Sequence, residues 1–134
     1  MLFRSHFSSE SIAKLKAKAN AESNTNKISS FQSLSALVWR CITCARCLPH
    51  DQITRCRLAT NNRSRMEPSL SNDYFGNSIY AVGGVTTAGE LLEHNLGWVA
   101  WKLHEAGLTT LTKLCVTFLI SGCSLLLFCN LLGF

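Results

Sequence analysis

The sequence predicts a mixed α/β fold: two helices, then two strands, then a further helix. Three observations carry that prediction. Apolar residues recur at helical spacing in three segments, "TRCRLAT" alternates with the period of a strand, and turn residues or a proline punctuate the joins. At 134 residues, 47% hydrophobic and 16% charged, the chain has the length of one ordinary domain and can bury a core, which excludes a disordered tail.

The first helix is "SSESIAKLKAKANAE". Its leading serines suit N-capping, Ile12, Leu15 and Ala19 fall on one face, and Lys14, Lys16 and Lys18 turn to solvent. After the polar linker "SNTNK" comes "SSFQSLSALVWRCITCARC", in which Ser29 and Gln32 stand at capping-box spacing. Phe31, Leu34, Val38, Cys41 and Ala45 form its expected apolar stripe, and Pro49 stops the helix. In "TRCRLAT", Thr54, Cys56, Leu58 and Thr60 oppose Arg55, Arg57 and Ala59, as in a half-buried strand; Asn61 and Asn62 end it. The stretch "NDYFGNSIYAV" sets a polar turn, the pair Tyr74 and Phe75, Gly76 and Asn77 before a second strand, "SIYAVGGV". A glycine beside two aromatics lets the backbone approach either a neighbouring strand or a ligand. One last helix is expected over "TAGELLEHNLGWVAWKLHEA", opened by a capping box of Thr87 and Glu90 and stacking Leu92, Leu96, Val99 and Leu103. The chain has no internal repeat.

Charge is divided unevenly. Residues 1–65 hold 11 Lys/Arg against 3 Asp/Glu (+8) and residues 66–134 hold 2 against 5 (−3), summing to the net +5. Because the lysines cluster on one helix, a solvated helix face accounts for them and no nucleic-acid partner is expected. "MLFRSHFSSES" lacks the continuous apolar core of a secretory signal, so the seven cysteines are expected as free thiols in a reducing compartment, and the sequon Asn62-Arg63-Ser64 carries no consequence. Cys41, Cys44 and Cys47, followed by His50 and Cys56, invite a zinc or iron–sulfur reading. On a continuous helix, however, the three thiols drift around the surface, whereas metal knuckles draw paired ligands from loops, so no metal is expected.

From Leu114 to Phe134, "LCVTFLISGCSLLLFCNLLGF" carries no charge, and a span of about 20 apolar residues can cross a bilayer. Lys102 and Lys113 precede it, as suits a cytoplasmic flank. An apolar C-terminal helix is therefore expected, with possible membrane association through residues 114–134 and a tail-anchored interaction protein as the alternative function.

Four blocks, "HFSSESIAKLKAKAN", "ISSFQSLSALVWR", "RSRMEPSLSNDYFGNSIY" and "GELLEHNLGWVAWKLHEA", resemble in that order the middle of the plant BAHD acyltransferases, enzymes that move an acyl group from coenzyme A. The resemblance runs from about His6 to Ala106 and looks closest to the acetyltransferase-like members. It implies an incomplete part of a two-domain fold related to chloramphenicol acetyltransferase: residues 1–60 the end of the first domain, 61–106 the start of the second, and 107–134 a tail outside the family. It further implies a cytoplasmic setting, acyl-CoA as co-substrate, and a hydroxyl or amine of a plant metabolite as acceptor.

The family's catalytic histidine sits in an HxxxD motif, and this chain has none: His6, His50, His94 and His104 are followed four residues later by Glu10, Thr54, Trp98 and Leu108. The DFGWG element is also missing. General-base help is typically worth roughly 10²–10⁴-fold, so no catalytic residue is assigned and the chain is expected to be inactive by itself. The cofactor-binding candidates are Ser29, Ser30, Phe75, Gly76 and Asn77. Ser29 and Ser30 open a helix where free N–H groups and the dipole favour phosphate, with Lys27 just before them, although plain N-capping explains the same residues. By resemblance, Tyr74 to Asn77 form the corner leading into the second domain near the cofactor channel. Arg63 and Arg65 match the family's RxR pattern and read first as ion-pairing groups.

Overall fold

The computed structural model describes residues 6–61, 63 and 69–121, and of 110–121 the backbone alone. Arg65, the outer residues of the sequon and residues 122–134 of the apolar tail lie outside the described residues.

Ser8 opens helix α1 (Ser9–Glu22), its hydroxyl accepting the Ser11 N–H. Ile12 and Leu15 turn inward with the fully buried Ala19, and Lys14, Lys16 and Lys18 are exposed, as the periodicity predicts. Helix α2 (Ser30–Ala45) follows, then strands β1 (Ile53–Asn61) and β2 (Ile79–Thr87) and helices α3 (Ala88–Glu93) and α4 (Leu96–Ser121). The strands pair antiparallel, from Ile53 opposite Thr87 to Asn61 opposite Ile79. Alternation in β1 holds along its whole length: Thr54, Cys56, Leu58 and Thr60 are half-buried while Arg55, Arg57 and Ala59 are exposed. Opposite them Val82, Gly84 and Thr86 are buried, so one sheet face lies under the helices and the other meets solvent.

The core is Ala19, Ile28, Ala36, Trp39, Leu91, Leu96, Val99, Ala100 and Leu103. Burying Leu91 or Leu103, each with essentially no exposed surface, contributes roughly 1.5–3 kcal/mol. Gly84 is where sheet and helices meet: a Cβ there would stand 3.1 Å from the Trp39 ring and 3.2 Å from Leu103. Trp39 keeps its polar end satisfied by donating Nε1–H to Thr54 Oγ1 at 2.9 Å.

Three expectations need correction. The segment expected as one helix after β2 is two: α3 ends at Glu93, His94 is extended (φ −79°, ψ 157°), and α4 starts at Leu96. Asn95 causes the break by capping the new helix, its Oδ1 accepting the Trp98 N–H at 2.9 Å. The buried partner from α3 is consequently Leu91, with Leu92 only half-buried.

In α2 the buried face is Ser33, Ala36, Trp39 and Thr43, whereas Phe31 (60%), Val38 (42%), Cys41 and Ala45 of the expected stripe are exposed. Small residues let α2 lie close to α1 and α4, and Leu34, Val38 and Ile42 line an open groove with β1 instead. The helix also ends at Ala45, before Pro49, with Cys47 in the left-handed region at φ 47°.

The third correction concerns the tail. Its first residues, up to Ser121, continue α4 and do not start a helix of their own. Among the described residues no helix is long and apolar enough to cross a membrane.

Candidate functional site at the start of helix α2

Ser29 and Gln32 close the capping box that their spacing predicts. The Ser29 hydroxyl accepts the Gln32 N–H at 3.2 Å and Gln32 Oε1 accepts the Ser29 N–H at 2.9 Å. Ser33 N–H reaches the Ser29 carbonyl at 3.0 Å. The N–H groups of Ser30 and Phe31 have no carbonyl one turn back, so they point out of the helix end and carry its positive dipole.

The approach to this end is fixed from α1. Asn20 donates to the Ile28 carbonyl and accepts the Ile28 N–H, both at 3.1 Å, and donates also to the Lys16 carbonyl at 2.9 Å. An open groove of about 650 Å³ runs along α1 to Ser30, lined by Ile12, Lys16, Asn20 and Asn26 among others. Lys16, which the sequence placed on a solvated face, thus lines the groove that reaches Ser30, and Lys27 is exposed two residues before the cap. Neither Lys16 nor Asn20 was picked out from sequence; their i, i+4 spacing on one helix was the available signal.

The second candidate group is the corner before β2. Arg63 Nη2 donates to the Gly76 carbonyl at 2.7 Å, so its partner is a backbone oxygen and not the acidic group expected of an ion pair. Asn77 Oδ1 accepts the Ile79 N–H at 3.0 Å, an Asx turn that launches the strand. The Tyr74 ring folds over Gly76, so a side chain at position 76 would require that exposed ring to move. Phe75 is fully exposed.

Arg40 Nη2 donates to the Leu92 carbonyl at 3.2 Å, which sets the C-terminal half of α2 beside α3, at the Ile53/Thr87 end of the hairpin. The two candidate groups are held separately: no hydrogen bond joins Ser29 or Ser30 to Phe75, Gly76 or Asn77 among the described residues, and the groove at Ser30 is lined by α1 residues and Asn26 rather than by the corner.

The histidines are held in other ways. His104 stacks on Trp101 at 5.0 Å and sits 3.4 Å from Gln32 Nε2, bracing the capping box. His94 stacks on Trp98 at 4.0 Å, and His50 faces Glu93 at 3.7 Å on an exposed surface. Cys41, Cys44 and Cys47 are exposed free thiols, and burial pushes the Cys56 thiol up from its ordinary value. No group of His, Cys, Asp and Glu able to hold a metal ion occurs among the described residues.

Comparison with known proteins agrees with this architecture. The model of the Transferase family matches residues 1–126, reaching past Ala106 into the apolar segment. The chain is 41% identical over 97 residues to shikimate O-hydroxycinnamoyltransferase of Nicotiana tabacum, covering 72% of this chain and 22% of that protein. It is 38% identical over 109 residues to omega-hydroxypalmitate O-feruloyl transferase of Arabidopsis thaliana, covering 78% and 24%. Among solved structures it is similar to F. graminearum TRI101 complexed with coenzyme A and deoxynivalenol, with a TM-score of 0.65 and 25% identity over 74% of this chain and 22% of that one. The chain thus spans about a quarter of the length of the relatives it matches.

Proposed function

The chain belongs to the Transferase family, as a BAHD-type acyltransferase, and from that membership we propose that it forms part of the coenzyme A side of an acyl-transfer site. The complete reaction moves an acyl group from acyl-CoA to a hydroxyl or amine of a small plant metabolite. In this reading residues 1–60 close one acyltransferase-like domain and residues 61–106 begin the next, in a cytoplasmic enzyme.

The observation that carries the proposal is the built start of α2. Its capping box leaves the Ser30 and Phe31 N–H groups directed outward, beside a groove containing Lys16 and close to Lys27. That arrangement suits a phosphate of coenzyme A, which gains from oriented N–H donors, the helix dipole and cationic side chains together. In this reading Phe75, Gly76 and Asn77 add a second, separate contact: an exposed ring for an apolar or stacked group, on a corner fixed by Arg63. Coenzyme A in the TRI101 complex, and the hydroxycinnamoyl and feruloyl groups in the relatives' names, support this class of ligand.

Transfer itself needs a base at the acceptor proton. None of His6, His50, His94 and His104 stands in an HxxxD motif, so in this reading the described residues serve to bind and orient and no base is assigned among them.

Ser30→Pro tests the reading cleanly. Proline is favoured at the first helical position, and Ser29 already has the extended backbone (φ −80°, ψ 162°) that a following proline requires, so the variant deletes one N–H donor and leaves the helix intact. Calorimetric titration of the full chain with coenzyme A should show binding that Ser30→Pro weakens by about tenfold to hundredfold, in line with one charge-assisted hydrogen bond, at unchanged melting temperature. Equal affinity in the two proteins would remove α2 from the site.

A further inference from the structure

We infer that Cys44 and Cys47 form a reversible dithiol modification site, closing to an intramolecular disulfide on exchange with a low-molecular-weight disulfide such as oxidised glutathione. Cys41, Cys44 and Cys47 are spaced alike in sequence and all exposed, yet the fold makes the two intervals different. Cys41 and Cys44 both lie inside α2, where residues three apart hold their Cβ atoms about 5–6 Å from each other. A disulfide needs about 3.5–4.5 Å. Regular helix geometry therefore keeps the first pair apart.

The second pair straddles the helix end. Arg46 is the C-cap and Cys47 leaves the helical path at φ 47°, a left-handed conformation that a non-glycine residue adopts only when its surroundings impose it. The Cys47 N–H bonds back to the Cys44 carbonyl at 3.0 Å, making the four residues a closed turn. The Cys47 thiol folds over the same carbonyl, with Sγ 3.6 Å from Cys44 O. The two thiols thus share one tight turn and both are open to solvent, which gives the access that exchange needs, and the left-handed Cys47 frees the pair from the fixed helical spacing that separates Cys41 from Cys44.

The chemistry balances without a metal or redox cofactor. One thiolate attacks the oxidised glutathione disulfide and releases one reduced glutathione, leaving a mixed disulfide. The second thiolate then displaces the remaining glutathione and forms the Cys44–Cys47 bond. In sum, two protein thiols and one oxidised glutathione become one protein disulfide and two reduced glutathiones. The site lies at the end of α2 opposite the proposed coenzyme A contact and stands independently of it.

Arg46 makes the test direct, because trypsin cleaves between the two cysteines. The full chain is equilibrated with oxidised glutathione, alkylated, digested and analysed by mass spectrometry. The expected result is a covalent link between peptides 41–46 and 47–55, reversed by reductant, retained in Cys41→Ser and lost in both Cys44→Ser and Cys47→Ser. Denaturing urea during oxidation should abolish the preference for Cys44 over Cys41. A link that survives Cys44→Ser, separate glutathione adducts on all three thiols, or no product at all would overturn the inference.

Discussion

Asn20 grips Ile28 from both sides: its Nδ2 donates to the Ile28 carbonyl and its Oδ1 accepts the Ile28 N–H, each at 3.1 Å. Ile28 is fully buried, so these bonds fix the backbone that delivers Ser29 to the start of α2. A side chain on α1 thereby sets the position of a candidate ligand contact on α2.

Removing that grip should be costly. Asn20→Ala strands a buried N–H and C=O at once, and each such loss typically costs about 1–3 kcal/mol. Urea unfolding of the variant should show a loss of roughly 2–4 kcal/mol with the slope unchanged.

Gly97 marks the closest approach of α4 to α1. A Cβ there would lie 2.6 Å from Glu22 Cβ and from Ser23 Oγ and 2.7 Å from the Ala19 carbonyl, while the Gly97 N–H bonds Glu22 Oε2 at 2.7 Å. Overpacking of this kind costs about 1–3 kcal/mol, so Gly97→Ala should lower the thermal midpoint despite alanine's better helix propensity. An unchanged or raised midpoint would mean that the two helices separate without cost.

Glu90 gives the fold a defined acid response. The Thr86 hydroxyl first, then Lys102, the Thr87 backbone and His94, hold its carboxyl below its ordinary 4.5, against a smaller opposing effect of desolvation. A carboxyl depressed in the folded state contributes stability that is present above 4.5 and disappears as pH falls through the lower folded value. Thr86→Val should therefore flatten the decline in stability below pH 4.5 relative to the native chain, as read from urea midpoints across a pH series. Parallel curves would show that the Thr86 bond is not felt by the protonation equilibrium.

The parts of the fold that the sequence made legible are those where local chemistry and burial agree. β1 alternates because one sheet face is covered, and Ser29, Gln32 and Thr87 cap because their spacing matches helix ends, whereas the Glu90 carboxylate takes the Thr86 hydroxyl and leaves the second box half-made. In α2 the most apolar stripe is not the buried one, because close helix packing selects the small side chains of Ser33 and Ala36. The interruption at His94 was readable: Asn95 before Leu96 is an N-cap signal, overridden by the continuous run of good helix formers. Of the candidate site, Ser29 was visible through its capping pattern. Lys16 and Asn20 were not, because their contribution depends on how α1 meets α2.

Acyl transfer provides a separate check. With no HxxxD histidine among its four, the full chain supplied with acetyl-CoA and hydroxylated or amine acceptors should form no product above background. Turnover abolished by replacing any one of His6, His50, His94 or His104 would show that another geometry supplies the base.

The central claim is that the start of α2 and the corner at Phe75 both contact coenzyme A, and amide chemical-shift mapping of the full chain tests it most directly. Titration with coenzyme A should move the signals of Ser30, Phe31, Phe75, Gly76 and Asn77 together along one saturating curve, with Ser30 and Phe31 responding less when a phosphate-free pantetheine is used. Saturable shifts confined to another surface, such as that around Trp98, or no saturable shift at all, would contradict it.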